Sequence, residues 1–281
     1  MKKPYNLRSL DKKDYGELAQ FLQGNIHLHR HLDWHPPIEW LGKTPFEALE
    51  QDGKIQAVLA MPDDPPGAFW VRLFASLKET DYRSVWNTLF SNSRKQISSS
   101  YKTIFAALAY EDWFIQLLTT EGWLEHQRVI LLKWHPQRIE LMNLPEPFML
   151  RPMTNADLEA IAHLDQNAFD LLWQQSLSAI HHAFLQTSYS TVVELENRII
   201  GYQMSTSSSF SAHLARLAVL PEMQGRGIGS TLVKDMLNHF RKPWVHEVSV
   251  NTQQDNFGSL KLYEKIGFIK TGDGFPVFVH D

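Results

Sequence analysis

Along this chain, apolar and polar positions alternate with the period of a strand, shift to the period of a helix, and then run through the same order a second time. Leu7-Arg8-Ser9-Leu10 opens the first pass and Leu150-Arg151-Pro152-Met153 the second. Each is followed by an acidic amphipathic stretch, Asp11 to Leu22 and Asn155 to Asp165. In the second pass Thr154 and Asp157 have the spacing of a capping box that starts a helix. Two strand-like runs then predict a hairpin in each pass. Residues 46–50 turn through Asp52-Gly53 into residues 54–59, a pair that favours a type I′ turn. Residues 191–195 turn near Asn197 into residues 198–202. A third strand is predicted at Trp70–Ala75 and at Leu214–Val219, and a helix at Val85–Ile97 and Gly229–Phe240. Apolar strands follow at residues 103–108 and 245–250. A short helix then runs to Gly122-Trp123 in one pass and Gly267-Phe268 in the other. Residues 128–134 and 276–280 close the two passes.

The landmarks recur at an offset of 143–145 residues, so the chain reads as two tandem α/β (α+β) domains, residues 1–143 and 144–281, joined near Pro136, Pro145 and Pro147. Each half reads strand, two helices, three strands, helix, strand, helix, two strands.

Composition removes several function classes. Apolar residues make up 43%, enough for real cores, but no apolar run reaches the roughly 18–20 residues that span a bilayer. The lysines of the opening residues have no apolar stretch behind them, so no secretory signal is expected. Cysteine is absent, which excludes disulfides, thiolate nucleophiles and cysteine metal sites. A cytoplasmic location fits. Net charge is −4 and no basic stripe is present, so neither nucleic acid nor membrane is an expected partner. Residues 1–143 carry 17 basic and 17 acidic side chains and residues 144–281 carry 10 and 14. The excess negative charge therefore sits in the second half, where it would suit a cationic acceptor, although solubility alone explains such a balance.

The most informative segment follows Arg216-Leu217-Ala218-Val219. A strand ends at Pro221, a glycine-rich loop runs through Gln224-Gly225-Arg226-Gly227-Ile228-Gly229-Ser230, and a helix begins near Gly227. The first N–H groups of a helix lack internal partners and lie at the positive end of its dipole, an arrangement that suits phosphate. Glycines at 225, 227 and 229 would let a diphosphate approach the backbone. No Gly-Lys-Ser/Thr follows, so this is not a Walker A loop, and Ser230 breaks a dinucleotide fingerprint. Taken alone, the loop could equally be a tight strand-to-helix connection. Further on, Asn256, Leu262-Tyr263 and Gly267-Phe268 punctuate a strand, a polar turn, a helix and its exit.

With both motifs in this order, residues 148–281 resemble the GCN5-related N-acetyltransferase (GNAT) superfamily. The resemblance implies, for each copy, a mixed, mostly antiparallel twisted sheet flanked by helices. It also implies transfer of an acetyl or other acyl group from acetyl-CoA to an amine by direct attack in a ternary complex. Backbone N–H groups from Gly225 to Ser230 would cradle the coenzyme A diphosphate. The strand Leu217, Ala218, Val219 would pair with the pantetheine arm, and the Leu217 N–H would stabilise the thioester oxygen as it gains charge. Asn256 would bind the pantetheine or phosphate end.

Tyr263 is the implied general acid for the departing thiolate; the alternative is a packing tyrosine that only hydrogen-bonds the cofactor sulfur. His213 stands where histone-type relatives carry a glutamate base, and a histidine suits a base at neutral pH. Its alternative is a strand-edge histidine with no catalytic duty, leaving a water chain, Glu194 or Glu247 to take the proton. The acceptor is a small-molecule or peptide amine. It would be chosen by the segment near Gln166–Gln175 and the last hairpin near Lys270–Phe275. No oligomeric state is implied. The contrasting reading is a non-catalytic acyl-CoA-binding or regulatory scaffold.

Superposing the two passes places Arg83 and Val85 on Gly227 and Gly229, Leu118 on Tyr263 and Glu111 on Asn256. The first half therefore reads as a degenerate, non-catalytic copy that shapes the acceptor site; mycothiol synthase is similar in architecture. In that half His27, His31 and His35 recur every four residues, the spacing of one helical face, so a metal site is conceivable. Pro36-Pro37 and the blander account of a solvated loop weigh against it, and no metal is expected. Seven of the nine tryptophans lie in residues 1–134, which suits core packing with a minority left to line a groove.

Overall fold

A computed structural model describes residues 4–97, 103–140 and 144–280. The chain forms two compact units, residues 1–126 with 276–281, and residues 127–275. The division expected after residue 143 (Asn143 lies outside the described residues) misses an exchange. The strand that closes each half in sequence belongs to the other half's unit.

The first unit contains strands β1 (Asn6–Ser9), β2 (Ile26–Arg30), β3 (Phe46–Gln51), β4 (Lys54–Ala60), β5 (Ala68–Trp70), β6 (Leu73–Leu77) and β7 (Ile104–Leu108), with helices α1 (Tyr15–Phe21), α2 (Tyr82–Gln96) and α3 (Asp112–Thr120). Strand β8 (Leu124–Trp134) carries the chain across the boundary at residue 127. The second unit adds β9 (Phe148–Pro152), α4 (Leu158–Ala168), α5 (Leu177–Gln186), β10 (Tyr189–Leu195), β11 (Arg198–Ser207), β12 (Ser211–Val219), α6 (Ile228–Phe240), β13 (Glu247–Gln253) and α7 (Phe257–Ile266). Strand β14 (Ile269–His280) returns to the first unit from residue 276.

The repeat is visible down to single side chains. Both hairpins turn through two residues with positive φ, Asp52 and Gly53 at 52° and 72°, Glu196 and Asn197 at 50° and 65°, the geometry a right-twisted pair needs. Both carry a register shift at the matching place, Leu49/Glu50 and Val193/Glu194. Arg8 of β1 pairs with Asp14 and Glu50; Arg151 of β9 pairs with Asp157 and Glu194. Asp14 and Asp157 each close a capping box, with Asp11 and Thr154 as partners. Glycines 122 and 267, at φ of 81° and 103°, end α3 and α7 in the left-handed conformation that favours glycine.

The second unit's sheet runs β8–β13–β12–β11–β10–β9. It is antiparallel except where β12 and β13 run parallel, and that parallel ladder covers only Ser211–Leu214 against Glu247–Val250. Ala215 is skipped in the register with β11, a bulge that separates Leu214 from Arg216. Beyond it, among the described residues, Leu217, Ala218 and Val219 pair with β11 alone. The apolar faces of α6 and α7 close a core on one side of the sheet, with Leu214, Val233, Met236, Leu260, Tyr263 and Phe268 buried together. Alternation along β12 sends His213 to the opposite face from Ala212 and Leu214.

In the first unit the five-stranded sheet has the order β1–β3–β4–β6–β2, and β5 and β14 pair with the two edges of β7. The single strand expected at Trp70–Ala75 breaks at Val71-Arg72 into β5 and β6. The helical face expected of His27, His31 and His35 is absent, because Ile26–Arg30 is a strand paired antiparallel with Leu73–Leu77 of β6. Residues four apart also share a face of a strand, where side chains alternate with a period of two, and of the three histidines only His27 lies within β2.

Candidate active site

In the second unit a cleft of about 610 Å³ opens between the end of β12, the start of α6 and the flank of α7. Its lining includes Leu217, Ala218, Val219, Gln224, Gly225, Gly227, Ile228, Gly229, Ser230 and Asn256, ten of the residues singled out by sequence. Ala168 and Phe169, from the end of α4, form the facing wall.

The loop is shaped for an anion. Gly227 caps α6 at φ 85°, and no side chain caps the helix, so its first-turn N–H groups are left to solvent or a ligand. Gly225, at φ 76°, has open space where a side chain would project. At Gly229 a Cβ would meet Leu262 Cδ2 of α7 at 3.4 Å and Val219 Cγ2 at 3.8 Å, ordinary van der Waals contact. Arg226 is exposed and does not line the cleft. Gln224 donates its amide to the Val219 carbonyl at 3.1 Å, tying the loop to the strand end. Asn256 is the N-cap of α7, its side chain accepting from the Ser259 N–H at 3.1 Å while facing the cleft. These features fit a diphosphate at the helix start and an extended chain along the free edge of β12.

Tyr263 lies behind the lining, 4% exposed, with its ring 5.5 Å from that of Phe268. Burial pushes its phenol well above the usual tyrosine range, so the hydroxyl keeps its proton at any physiological pH. Leu217 packs against the same hydrophobic cluster.

His213 is not part of the lining. It is half-buried on the paired section of β12, with Nδ1 2.9 Å from Ser249 Oγ on β13. Burial lowers its pKa, so the ring is neutral at pH 7. The fallback carboxylates are committed elsewhere, Glu194 to Arg151 and Glu247 to Lys133.

The structure adds a group that sequence reasoning missed. Arg216, next to Leu217, makes a two-pronged pair with Asp165 of α4 (Nε to Oδ2 and Nη2 to Oδ1, both 2.8 Å) and donates to the Trp173 carbonyl at 2.6 Å. Tyr202 donates to the same carboxylate. The available signal was an arginine inside the apolar strand Leu214–Val219, which demands a buried partner. In the sequence Asp165 shows only as the end of an amphipathic stretch. Among the described residues no helix is long and apolar enough to cross a membrane.

Comparison with known proteins bears on the family and the fold. The acetyltransferase (GNAT) family model matches residues 158–268. An uncharacterized N-acetyltransferase of Methanocaldococcus jannaschii is 24% identical over 121 residues, 43% of this chain and 77% of the relative. The N-alpha-acetyltransferase RimI of Mycobacterium tuberculosis is 25% identical over 138 residues, 45% of this chain and 82% of the relative. A solved tandem GNAT protein from the clavulanic acid biosynthesis pathway shares the fold across 99% of this chain and 98% of its own, at a TM-score of 0.63 and 14% identity.

Proposed function

We propose, for a chain that is a tandem member of the acetyltransferase (GNAT) family and an N-acetyltransferase, that the second unit moves an acetyl group from acetyl-CoA to an amine by direct attack. The observation that carries the reading is one cleft bounded by an uncapped helix start and by a strand edge with no partner strand among the described residues. An anion fits the first, and the amide-bearing pantetheine arm fits the second as an added strand.

Acetyl-CoA supplies an activated acyl carbon and a thiolate leaving group. The chain's residues do the rest. N–H groups of Gly225 to Ser230 hold the diphosphate. The Leu217 N–H donates to the thioester oxygen in this reading, where a fixed donor acts most strongly as charge develops. As the C–N bond forms and the C–S bond breaks, the amine loses a proton and the thiolate gains one. His213, neutral at pH 7, is the base on the sheet face that α4 covers. Tyr263, whose phenol burial keeps protonated, is the acid.

The acceptor we favour is an α-amino group, on the strength of the relative whose printed name is N-alpha-acetyltransferase. The test is release of free coenzyme A from acetyl-CoA with a panel of Ala-initiated peptides, lysine and spermidine, with products identified by mass spectrometry. Release that depends on one class of amine supports the reading. Tight coenzyme A binding with no amine-dependent release would favour a non-catalytic acyl-CoA-binding protein instead.

A further inference from the structure

We infer that Arg216 is a positioning residue for acceptor choice: clamped by Asp165, it fixes Phe169 and the turn through Trp173 as the wall against which the amine substrate is seated. The inference rests on the acyl-transfer reading of the same cleft.

The segment from Ala168 to Gln175 has little regular structure of its own, one short 3₁₀ turn at Leu171–Trp173. It is nonetheless held along its whole length. Asp165, fully buried, accepts from the Gln175 N–H at 2.7 Å as well as from Arg216 and Tyr202. The Arg216 guanidinium lies 3.7 Å from the centre of the Phe169 ring, a cation–π stack that fixes the ring from behind. The Trp173 carbonyl accepts from Arg216, and the Trp173 indole donates to Gln127 Oε1 at 2.8 Å. Gln127 in turn donates to Asp255, the residue before Asn256, at 3.0 Å. The wall is thus tied both to β12 and to the start of α7.

A buried ion pair contributes little net stability compared with apolar packing of the same volume. Its value here is direction: a two-pronged guanidinium–carboxylate pair fixes orientation in a way a lysine cannot. Because Asp165 cancels the charge and Phe169 covers it, the wall presents a neutral aromatic face, and a cationic amine meets no repulsion there.

The first unit supplies independent support. Arg72, which matches Arg216 in the repeat, pairs with Asp33 at 3.0 Å, donates to the Asp64 carbonyl at 2.6 Å and lies 5.1 Å from the Trp40 ring. Arginine, aspartate, carbonyl and aromatic recur in a half whose cofactor loop is gone. Asp33 and Trp40 lie between the first helix and the hairpin, as Phe169 and Trp173 do in the second unit, while Asp64 follows the hairpin; an arginine cluster thus recurs at this place where no glycine-rich loop follows.

Two variants test this. Arg216→Lys keeps the charge and loses the fork; Phe169→Ala leaves the ion pair intact and removes the wall. In Arg216→Lys, hydrogen exchange should rise in peptides covering residues 166–175, with coenzyme A affinity by calorimetry within about threefold of the parent. Both variants should raise KM for an Ala-initiated hexapeptide by about tenfold while kcat changes less than about threefold, the pattern of lost acceptor seating. Unchanged exchange in Arg216→Lys, or a loss of coenzyme A affinity as large as the rise in peptide KM, would overturn the inference. Should Arg216→Lys not fold, Phe169→Ala decides: a peptide KM equal to the parent's sinks the proposal. If the parent protein acetylates no amine, the acyl-transfer reading fails, and the exchange measurement still decides whether Arg216 holds the segment.

Discussion

The two halves of the chain treat the same groove in opposite ways. In the second, the ladder between β12 and β13 stops at Leu214, and Leu217 to Val219 face a cleft. In the first, the matching stretch of β6 is covered by β2, Ile26–Arg30 against Leu73–Leu77. The side chains of β2 complete the filling. His29 is fully buried, stacks on Phe114 at 3.9 Å, and pairs with Glu111 at 3.0 Å. His27 rests against Tyr82 and Trp113. By the alignment that places Glu111 on Asn256, Trp113 and Phe114 fall on the cleft residues Gly258 and Ser259.

The helix starts differ in the same sense. Glycine caps α6 and leaves its N–H groups bare, whereas Asp81 caps α2 and accepts from the Arg83 N–H at 3.1 Å. In the first half a carboxylate of the chain's own occupies the helix start and a strand of its own covers the strand edge, the places where the proposal seats a phosphate and a pantetheine arm. The lesson is physical: a free strand edge and a bare helix start both need partners. The first half supplies them from its own sequence.

The largest expected effect comes from closing the open groove. Gly227→Arg forces a side chain into a left-handed position at the mouth of the cleft. Coenzyme A affinity should fall at least about a hundredfold, measured by calorimetry. Retained affinity would put the cofactor elsewhere.

Emptying the filled groove is the converse. His29→Ala removes a fully buried ring and leaves Glu111 without it. Stability should drop by about 2–4 kcal/mol in denaturant titrations, with no second coenzyme A site gained. A new site would mean that β2 alone blocks the first half.

Tyr263→Phe sharpens the comparison with Leu118, its match in the first half. kcat should fall about ten- to a hundredfold with little change in KM for acetyl-CoA. An unchanged kcat would leave Tyr263 as packing.

His213→Ala should have the smallest effect at pH 7, about three- to tenfold in kcat/KM, and should remove the acid limb of the pH profile. The sign follows from burial. His213 binds its proton less readily when folded, so activity is present at neutral pH and lost as pH falls below the ordinary histidine range. A profile that overlays the parent would assign the base to solvent.

Much of this contrast could be read from the sequence. Asp52-Gly53, the spaced glycines after Val219 and the Gly-aromatic exits fixed the repeat and the open groove, because turns and helix starts depend on local chemistry. The filled groove could not be read. His27, His31 and His35 suggested a helix where β2 forms, since strand pairing with β6 is decided more than forty residues away. The exchange of closing strands was hidden for the same reason: residues 128–134 and 276–280 are both adequate strands, and nothing local says which sheet each joins. Arg216 and Asp165 lie fifty-one residues apart, so each alone looked like an unremarkable member of its element.

The central claim is that one half keeps an open coenzyme A groove while the other has filled its own. Titration of the full-length protein with coenzyme A in a calorimeter tests it most directly. The account predicts one site per chain, lost in Gly227→Arg. Two sites per chain, or one site that survives Gly227→Arg, would contradict it.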